Sequence, residues 1–327
     1  MSFLDGIRAN NFVIVGRAGV DLFPHPPGTA TEDAEVFHAD LGGSSANIGA
    51  GIVKLGGKAA LVTRVSDDSA GRFCVNKLAH YGVDSTYVTP VGGECRNSLA
   101  LYESRIEGHQ SVIYRNGAAD FQMDSADVKA VDYSKFGALI TAGTVFAAEP
   151  SRSATFEAFA LAKVAGLPII FDVDYRPYSW PSAQVAAEVL SRAAAESDMI
   201  VGNDEEFGFM AGDITKGLAK ARELAETTAT IVVYKMGEKG AVTFANGQEI
   251  HTGIFRVDAL KPTGAGDSFM AGLVTGLAAD MPLKDAILRG SACASITVSK
   301  PGCAPAMPDV PTLSKFMADH SGPTAAS

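Results

Sequence analysis

The chain has 327 residues, 47 % of them apolar, and a formal net charge of −10. That length and apolar fraction suit one large α/β domain with a sizeable core. The acidic balance excludes a general nucleic-acid or anionic-membrane surface, though not one phosphorylated ligand held by local positive charge. No stretch approaches the roughly 18 consecutive apolar residues of a membrane span. Met1-Ser2-Phe3-Leu4-Asp5 lacks a basic region followed by an apolar run, so no signal peptide and a cytoplasmic protein are expected. Cys74, Cys95, Cys293 and Cys303 have no CxxC spacing, and no His pair stands at metal-site spacing, so free thiols are expected.

In chain order, residues 11–16 read as a buried strand ending at a glycine. Residues 44–55 read as a helix capped by Ser44 or Ser45 and stopped by Gly56-Gly57. A strand at 61–65 and a helix at 70–81 follow. Further on come a strand at 139–141, a helix at 153–164 and a continuous apolar strand at 167–171. The alternation continues through 182–195, 200–201, 205–210, 215–225 and 231–234. Repeated strand–helix–strand units with unalternated apolar strands predict a mostly parallel sheet covered on both faces.

Two stretches break this rhythm. Residues 17–40 are partly Pro/Gly-rich, and residues 98–115 alternate like a hairpin turning near Glu107-Gly108. Together, parts of 17–40 and 95–117 predict a small antiparallel accessory sheet. A further hairpin at 241–251 turns at Asn246-Gly247, a strong type I′ signal. Residues 311–327 read as a frayed tail.

The sharpest chemical signal is Lys261-Pro262-Thr263-Gly264-Ala265-Gly266-Asp267 before an amphipathic helix. Three small residues leave backbone N–H groups open at the helix start, where anions are attracted. An aspartate there would ordinarily repel a phosphate. It makes sense as the base for a hydroxyl that attacks that phosphate, and otherwise as an ordinary cap. A dinucleotide fingerprint is disfavoured because the third glycine is missing, and Gly56-Gly57-Lys58-Ala59 lacks the spacing of a P-loop.

A second motif, Leu41-Gly42-Gly43-Ser44-Ser45-Ala46-Asn47-Ile48-Gly49, lies near the N-terminus. Together with Gly264-Ala265-Gly266-Asp267 it resembles the paired signatures of the ribokinase-like (PfkB) carbohydrate kinases, across nearly the whole chain. The resemblance implies one three-layer α/β domain, a β-sheet lid over the sugar, ATP with Mg²⁺, and phosphorylation of a hydroxyl. It implies Asp267 as base and Gly264, Ala265 and Gly266 as anion hole. Asp21, Gly42, Gly43 and Asn47 resemble the sugar-binding residues. Asn203 and Glu206 are similar to the Asn-x-x-Glu motif near Mg²⁺, which would come with ATP rather than sit in a protein cage. Lys235, Gly237 and Gly240 resemble the loop that contacts ATP phosphates. Asn203 and Glu206 also have capping-box spacing, Asn47 could cap its helix, and the two glycines could serve only a turn.

Phe171-Asp172-Val173-Asp174-Tyr175-Arg176-Pro177-Tyr178-Ser179-Trp180 looks like a segment of the 5-dehydro-2-deoxygluconokinase subgroup, which acts in inositol catabolism. The related 2-keto-3-deoxygluconate kinases carry a similar Arg-containing segment and a Tyr-Arg element like Tyr114-Arg115. Both substrates are carboxylates, and a planar guanidinium pairs with a carboxylate through parallel hydrogen bonds. Arg115 and Arg176 are therefore the candidate partners, unless Arg176 is tied up with Asp172 or Asp174. Lys261 departs from the family, where many members have an aspartate that helps bind a monovalent cation. A lysine has donors only, so its ammonium would stand in for that cation. A 2-keto-3-deoxygluconate kinase, a fructokinase-type enzyme and a non-catalytic sugar sensor stay open, the last having no need of Asp267. A homodimer through the lid is expected by analogy.

Overall fold

The computed structural model describes residues 3–320, 322 and 323. Its strands are β1 (Asn11–Val15), β2 (Gly19–His25), β3 (Val36–Gly42), β4 (Lys58–Ser66), β5 (Val88–Val91), β6 (Leu99–Tyr102), β7 (Ser111–Tyr114), β8 (Ala138–Ala142), β9 (Ile169–Asp172), β10 (Met199–Asn203), β11 (Ile231–Lys235), β12 (Ala241–Ala245) and β13 (Gln248–Thr252). The helices are α1 (Phe3–Arg8), α2 (Ser44–Lys54), α3 (Ser69–Tyr81), α4 (Ser125–Lys129), α5 (Ser151–Val164), α6 (Ala183–Ala195), α7 (Asp204–Met210), α8 (Gly217–Thr227), α9 (Ala265–Ala278), α10 (Leu283–Val298) and α11 (Val310–Asp319).

Nine strands form one sheet in the order β13-β12-β11-β10-β9-β8-β1-β4-β5. Every pairing from β5 to β11 is parallel, and the β12–β13 hairpin closes one edge antiparallel. The inner strands β1, β8, β9, β10 and β11 are apolar with little alternation because both their faces are buried. In β1, Phe12 and Ile14 enter one core with residues of α2, α3, α9 and α10. Val13 and Val15 enter the other, with residues of α5, α6, α7 and α8. The result is the expected three-layer α/β architecture.

The small sheet has the order β3-β2-β6-β7. Its β2–β3 and β6–β7 pairings are antiparallel, but the central β2–β6 pairing is parallel. After β2 and β3 the chain passes through the main layers before it returns as β6, so no tight turn joins β2 to β6.

Two local expectations are corrected. Neither Ser44 nor Ser45 caps α2, since the N-cap is Gly43 and makes no side-chain hydrogen bond. The Ser44 hydroxyl instead donates to Asp174. Residues 310–319 form a helix rather than a tail. The Asp309 side chain accepts from Thr312 N, a proline sits in the first turn, and Leu313 is buried. Ser321 and residues 324–327, the end of the expected tail, lie outside the described residues.

Candidate active site

The parallel strands run out together at their C-terminal ends, and there the chain's chemical residues gather. The strand order reverses between β1 and β8, the usual position of a crevice in an open α/β sheet. A cavity of about 1200 Å³ opens at this edge, between the main sheet, the small sheet and the start of α9. Asp21, Gly43, Asn47, Arg115, Arg176, Asn203, Glu206, Lys235, Gly237, Gly240, Gly264, Ala265, Gly266 and Asp267 all line it. Of the remaining sequence candidates, Gly42 and Lys261 support it from behind.

At the small-sheet end, Asp21 is 1 % exposed and its Oδ1 has no hydrogen-bond partner among the described residues. Burial pushes its carboxyl up to about 7 against the pull of Arg17. Gly42 is required because a Cβ there would stand 2.0 Å from Asp21 Oδ1. Gly43, at φ 98°, would put a Cβ 2.4 Å from the Arg17 carbonyl. The two glycines thus let the chain pass close under the β1–β2 loop into α2. Asn47 does not cap α2. Its Nδ2 donates to Asp267 Oδ2 at 3.0 Å, and its buried Oδ1 has no partner among the described residues.

Asp267 lies in the first turn of α9, whose N-cap Gly264 sits at φ 82° and offers no side-chain cap. The first amides of the helix are therefore open to an anion, as the small residues predicted. Asp267 is half-buried and faces the cavity. Burial and then Asp174 push its carboxyl up to about 7, while the Asn47 hydrogen bond, Arg176 and Lys235 oppose this. A base with that affinity for protons suits a hydroxyl at neutral pH. Behind the turn, Lys261 is fully buried. Its ammonium donates to the Thr263 carbonyl at 2.5 Å and the Thr297 carbonyl at 3.4 Å.

Asn203 and Glu206 form a reciprocal capping box at the start of α7, at 2.9 and 2.7 Å. Glu206 still lines the cavity and is buried, and burial raises its carboxyl above the ordinary value. Asp172, at the end of β9, is raised as well, by burial first. Lys235 reaches towards both acids, with its ammonium 5.6 Å from the centre of the Phe269 ring. Gly237 and Gly240 have φ of 56° and 88° in the turn after β11. Among the described residues no cluster of three or more acids, histidines or cysteines forms a metal cage.

The two arginines named from sequence are already engaged. Arg115 is buried and paired with Asp120, donates to the Thr144 carbonyl at 2.8 Å, and stacks on Phe121 at 4.0 Å. Arg176 pairs with Asp174 at 2.8 Å but keeps 44 % of its side chain exposed. For Asp174, burial would raise the carboxyl, but Arg176, Ser44, Arg17 and Arg115 outweigh it and hold it low. Sequence reasoning missed Arg17 and Cys303 at the small-sheet end and the 253–259 strip at the other. Arg17 follows a strand and a glycine, and that was its only signal. Nothing local marks Cys303 or the strip, which tertiary folding alone brings to the cavity.

The pfkB family carbohydrate kinase model matches residues 9–310. The chain is 35 % identical to the 5-dehydro-2-deoxygluconokinase of Geobacillus kaustophilus, over 100 % of this chain and 99 % of that protein. It is 34 % identical to the enzyme of the same name from Photobacterium profundum, over 95 % of each. Among solved structures, a double mutant of Vibrio cholerae fructokinase with fructose, ADP and potassium bound superposes with a TM-score of 0.82 at 25 % identity, covering 94 % of this chain and 98 % of that one. Salmonella enterica aminoimidazole riboside kinase, with its riboside and an ATP analog, shares the fold at TM-score 0.78 and 24 % identity, covering 94 % and 100 %. The chain belongs to the pfkB family of carbohydrate kinases. It is an ATP-dependent carbohydrate kinase. Among the described residues no helix is long and apolar enough to cross a membrane.

Proposed function

We propose that the acceptor is 5-dehydro-2-deoxy-D-gluconate, phosphorylated at its terminal hydroxyl, and that the enzyme works in the cytoplasm in inositol catabolism. The observation that carries this is one cavity with a raised carboxylate at a helix N-terminus and arginines at its small-sheet side. The curated relatives bear that substrate's name. The terminal hydroxyl points at Asp267, which takes its proton as the oxygen attacks the γ-phosphorus. The open amides of Gly264, Ala265 and Gly266 meet the charge on the moving phosphoryl group. Asp21, Gly42, Gly43 and Asn47 hold the sugar hydroxyls, and the partnerless oxygens of Asp21 and Asn47 support that role. Arg176 and Arg115 supply positive potential for an acid.

The β and γ phosphates lie along Lys235, Gly237 and Gly240. Glu206 lines the cavity within reach of Lys235, so Mg²⁺ would enter with ATP near Asn203 and Glu206. When bound, the ion neutralises phosphate charge. The small sheet acts as the lid that excludes water, which would otherwise accept the phosphoryl group. Lys261, with its ammonium fixed on two carbonyls beside the anion hole, takes the place of a monovalent cation.

The test is ADP release by purified enzyme with MgATP and 5-dehydro-2-deoxygluconate, 2-keto-3-deoxygluconate, fructose, ribose or adenosine. Clear preference for the first is expected. Preference for a neutral sugar or nucleoside removes the acid-substrate reading, and no turnover with any acceptor favours a sugar sensor.

A further inference from the structure

Three guanidinium groups line the small-sheet end of the cavity, and they are not equivalent. Arg115 is locked onto Asp120, and Arg176 is paired with Asp174. Arg17 is 5 % exposed, yet among the described residues its side chain makes one hydrogen bond, from Nη1 to the Ser98 hydroxyl, at 2.9 Å. Its Nε is buried without a partner. Among the described residues no carboxylate stands close enough for an ion pair with it. Asp120, Asp21 and Asp174 reach it only through longer-range attraction.

A guanidinium offers five N–H donors, so one bond to a neutral hydroxyl leaves most of them unused. Burying such a group without pairing is costly, and the structure around it is built to hold it there. The Arg17 carbonyl accepts from Ala46 N at 3.2 Å, and Gly43 passes against that same carbonyl. Gly19 lets Ser98, the partner of Nη1, come close, since a Cβ there would stand 2.6 Å from the Ser98 hydroxyl. The group is thus fixed in place and left short of one planar, negatively charged partner of matching geometry.

We propose that Arg17 is the residue that receives the substrate's carboxylate, a reading that rests on the acid substrate inferred above. The carboxylate lies against the Arg17 guanidinium, at the opposite end of the sugar from the hydroxyl that Asp267 deprotonates. Asp174 keeps Arg176 occupied, and Asp120 does the same for Arg115. Arg17 therefore sets the preference of this enzyme for an acid over a neutral sugar of the same length.

The experiment compares kcat/KM for 5-dehydro-2-deoxygluconate and its carboxamide in the wild type and in Arg17→Gln. The wild type is expected to prefer the acid. In Arg17→Gln that preference falls roughly 10- to 100-fold, the range for a hydrogen bond to a charged group. The loss appears in KM and is larger for the acid than for the carboxamide, which has no negative charge to pair with a guanidinium. If the wild type itself does not prefer the acid, the acid-substrate reading falls and this one with it. If it does and Arg17→Gln keeps the preference, only the Arg17 assignment is overturned. Should Arg17→Gln not fold, a crystal structure of the wild type with the sugar acid decides. A carboxylate on the Arg17 guanidinium supports the proposal, and one paired with Arg176 or Arg115 overturns it.

Discussion

Asp267 is held between opposing influences, burial and Asp174 on one side and Asn47, Arg176 and Lys235 on the other. With its carboxyl at about 7, it is protonated in the free enzyme below that pH and unable to act as base. The expected kcat/KM for the sugar acid therefore rises about tenfold per pH unit below 7, more steeply where Asp21 titrates too, and levels off above. Asp267→Asn is expected to fold normally and lose roughly 10²- to 10⁴-fold in turnover. Stability moves the other way. The carboxyl is raised above its ordinary 3.8, so its contribution is fully present below about 3.8 and is lost as pH rises through about 7. Asp267→Asn escapes that loss, so its melting temperature should exceed that of the wild type at pH 8 and match it near pH 4. Near-normal turnover in the variant, or a lower melting temperature at pH 8, would remove the assignment of Asp267 as a desolvated base.

At the scale of elements, the start of α9 joins an uncapped helix N-terminus to a buried ammonium. Lys261 fixes the Thr263 carbonyl one residue before Gly264, so its charge and the turn geometry are coupled. Activity should be the same, within twofold or so, in K⁺ and in Na⁺ at equal ionic strength, because the fixed ammonium needs no exchangeable ion to complete the site. Strong activation by K⁺ over Na⁺ would refute it. Much of this level was readable in the sequence. Unbroken apolar runs mark strands buried on both faces, and Gly-Ala-Gly-Asp marks an open helix start. What stayed hidden depends on contacts distant in sequence. Ser44 looked like a cap, yet it bonds Asp174, 130 residues away. Arg115 read as a guanidinium for the substrate's carboxylate, yet it pairs with Asp120 across a turn. The parallel β2–β6 pairing is set by how the chain returns from the main layers, which no local period encodes.

At the scale of the whole molecule, the register of the small sheet sorts its residues between two faces. Asp21, Tyr102 and Ile113 fall on the cavity side. Alternation then sends Leu22, Phe37, Leu101, Val112 and Tyr114 to the opposite side. That outer side is apolar and partly open, with Val112 42 % and Tyr114 58 % exposed. A four-stranded sheet with one face on a site and an apolar second face is a surface that a second copy can cover. The enzyme is therefore expected to be a homodimer joined through its small sheets. Light scattering after size exclusion should give twice the chain mass at micromolar concentration. Val112→Glu should shift it to the single-chain mass, because a charge would be buried without a partner. Since the same sheet carries Asp21 on its inner face, the monomeric variant should also bind the sugar acid more weakly, with KM for MgATP little changed. A wild type that runs as a monomer, or a Val112→Glu variant that stays dimeric, would move the contact elsewhere and leave this face to solvent.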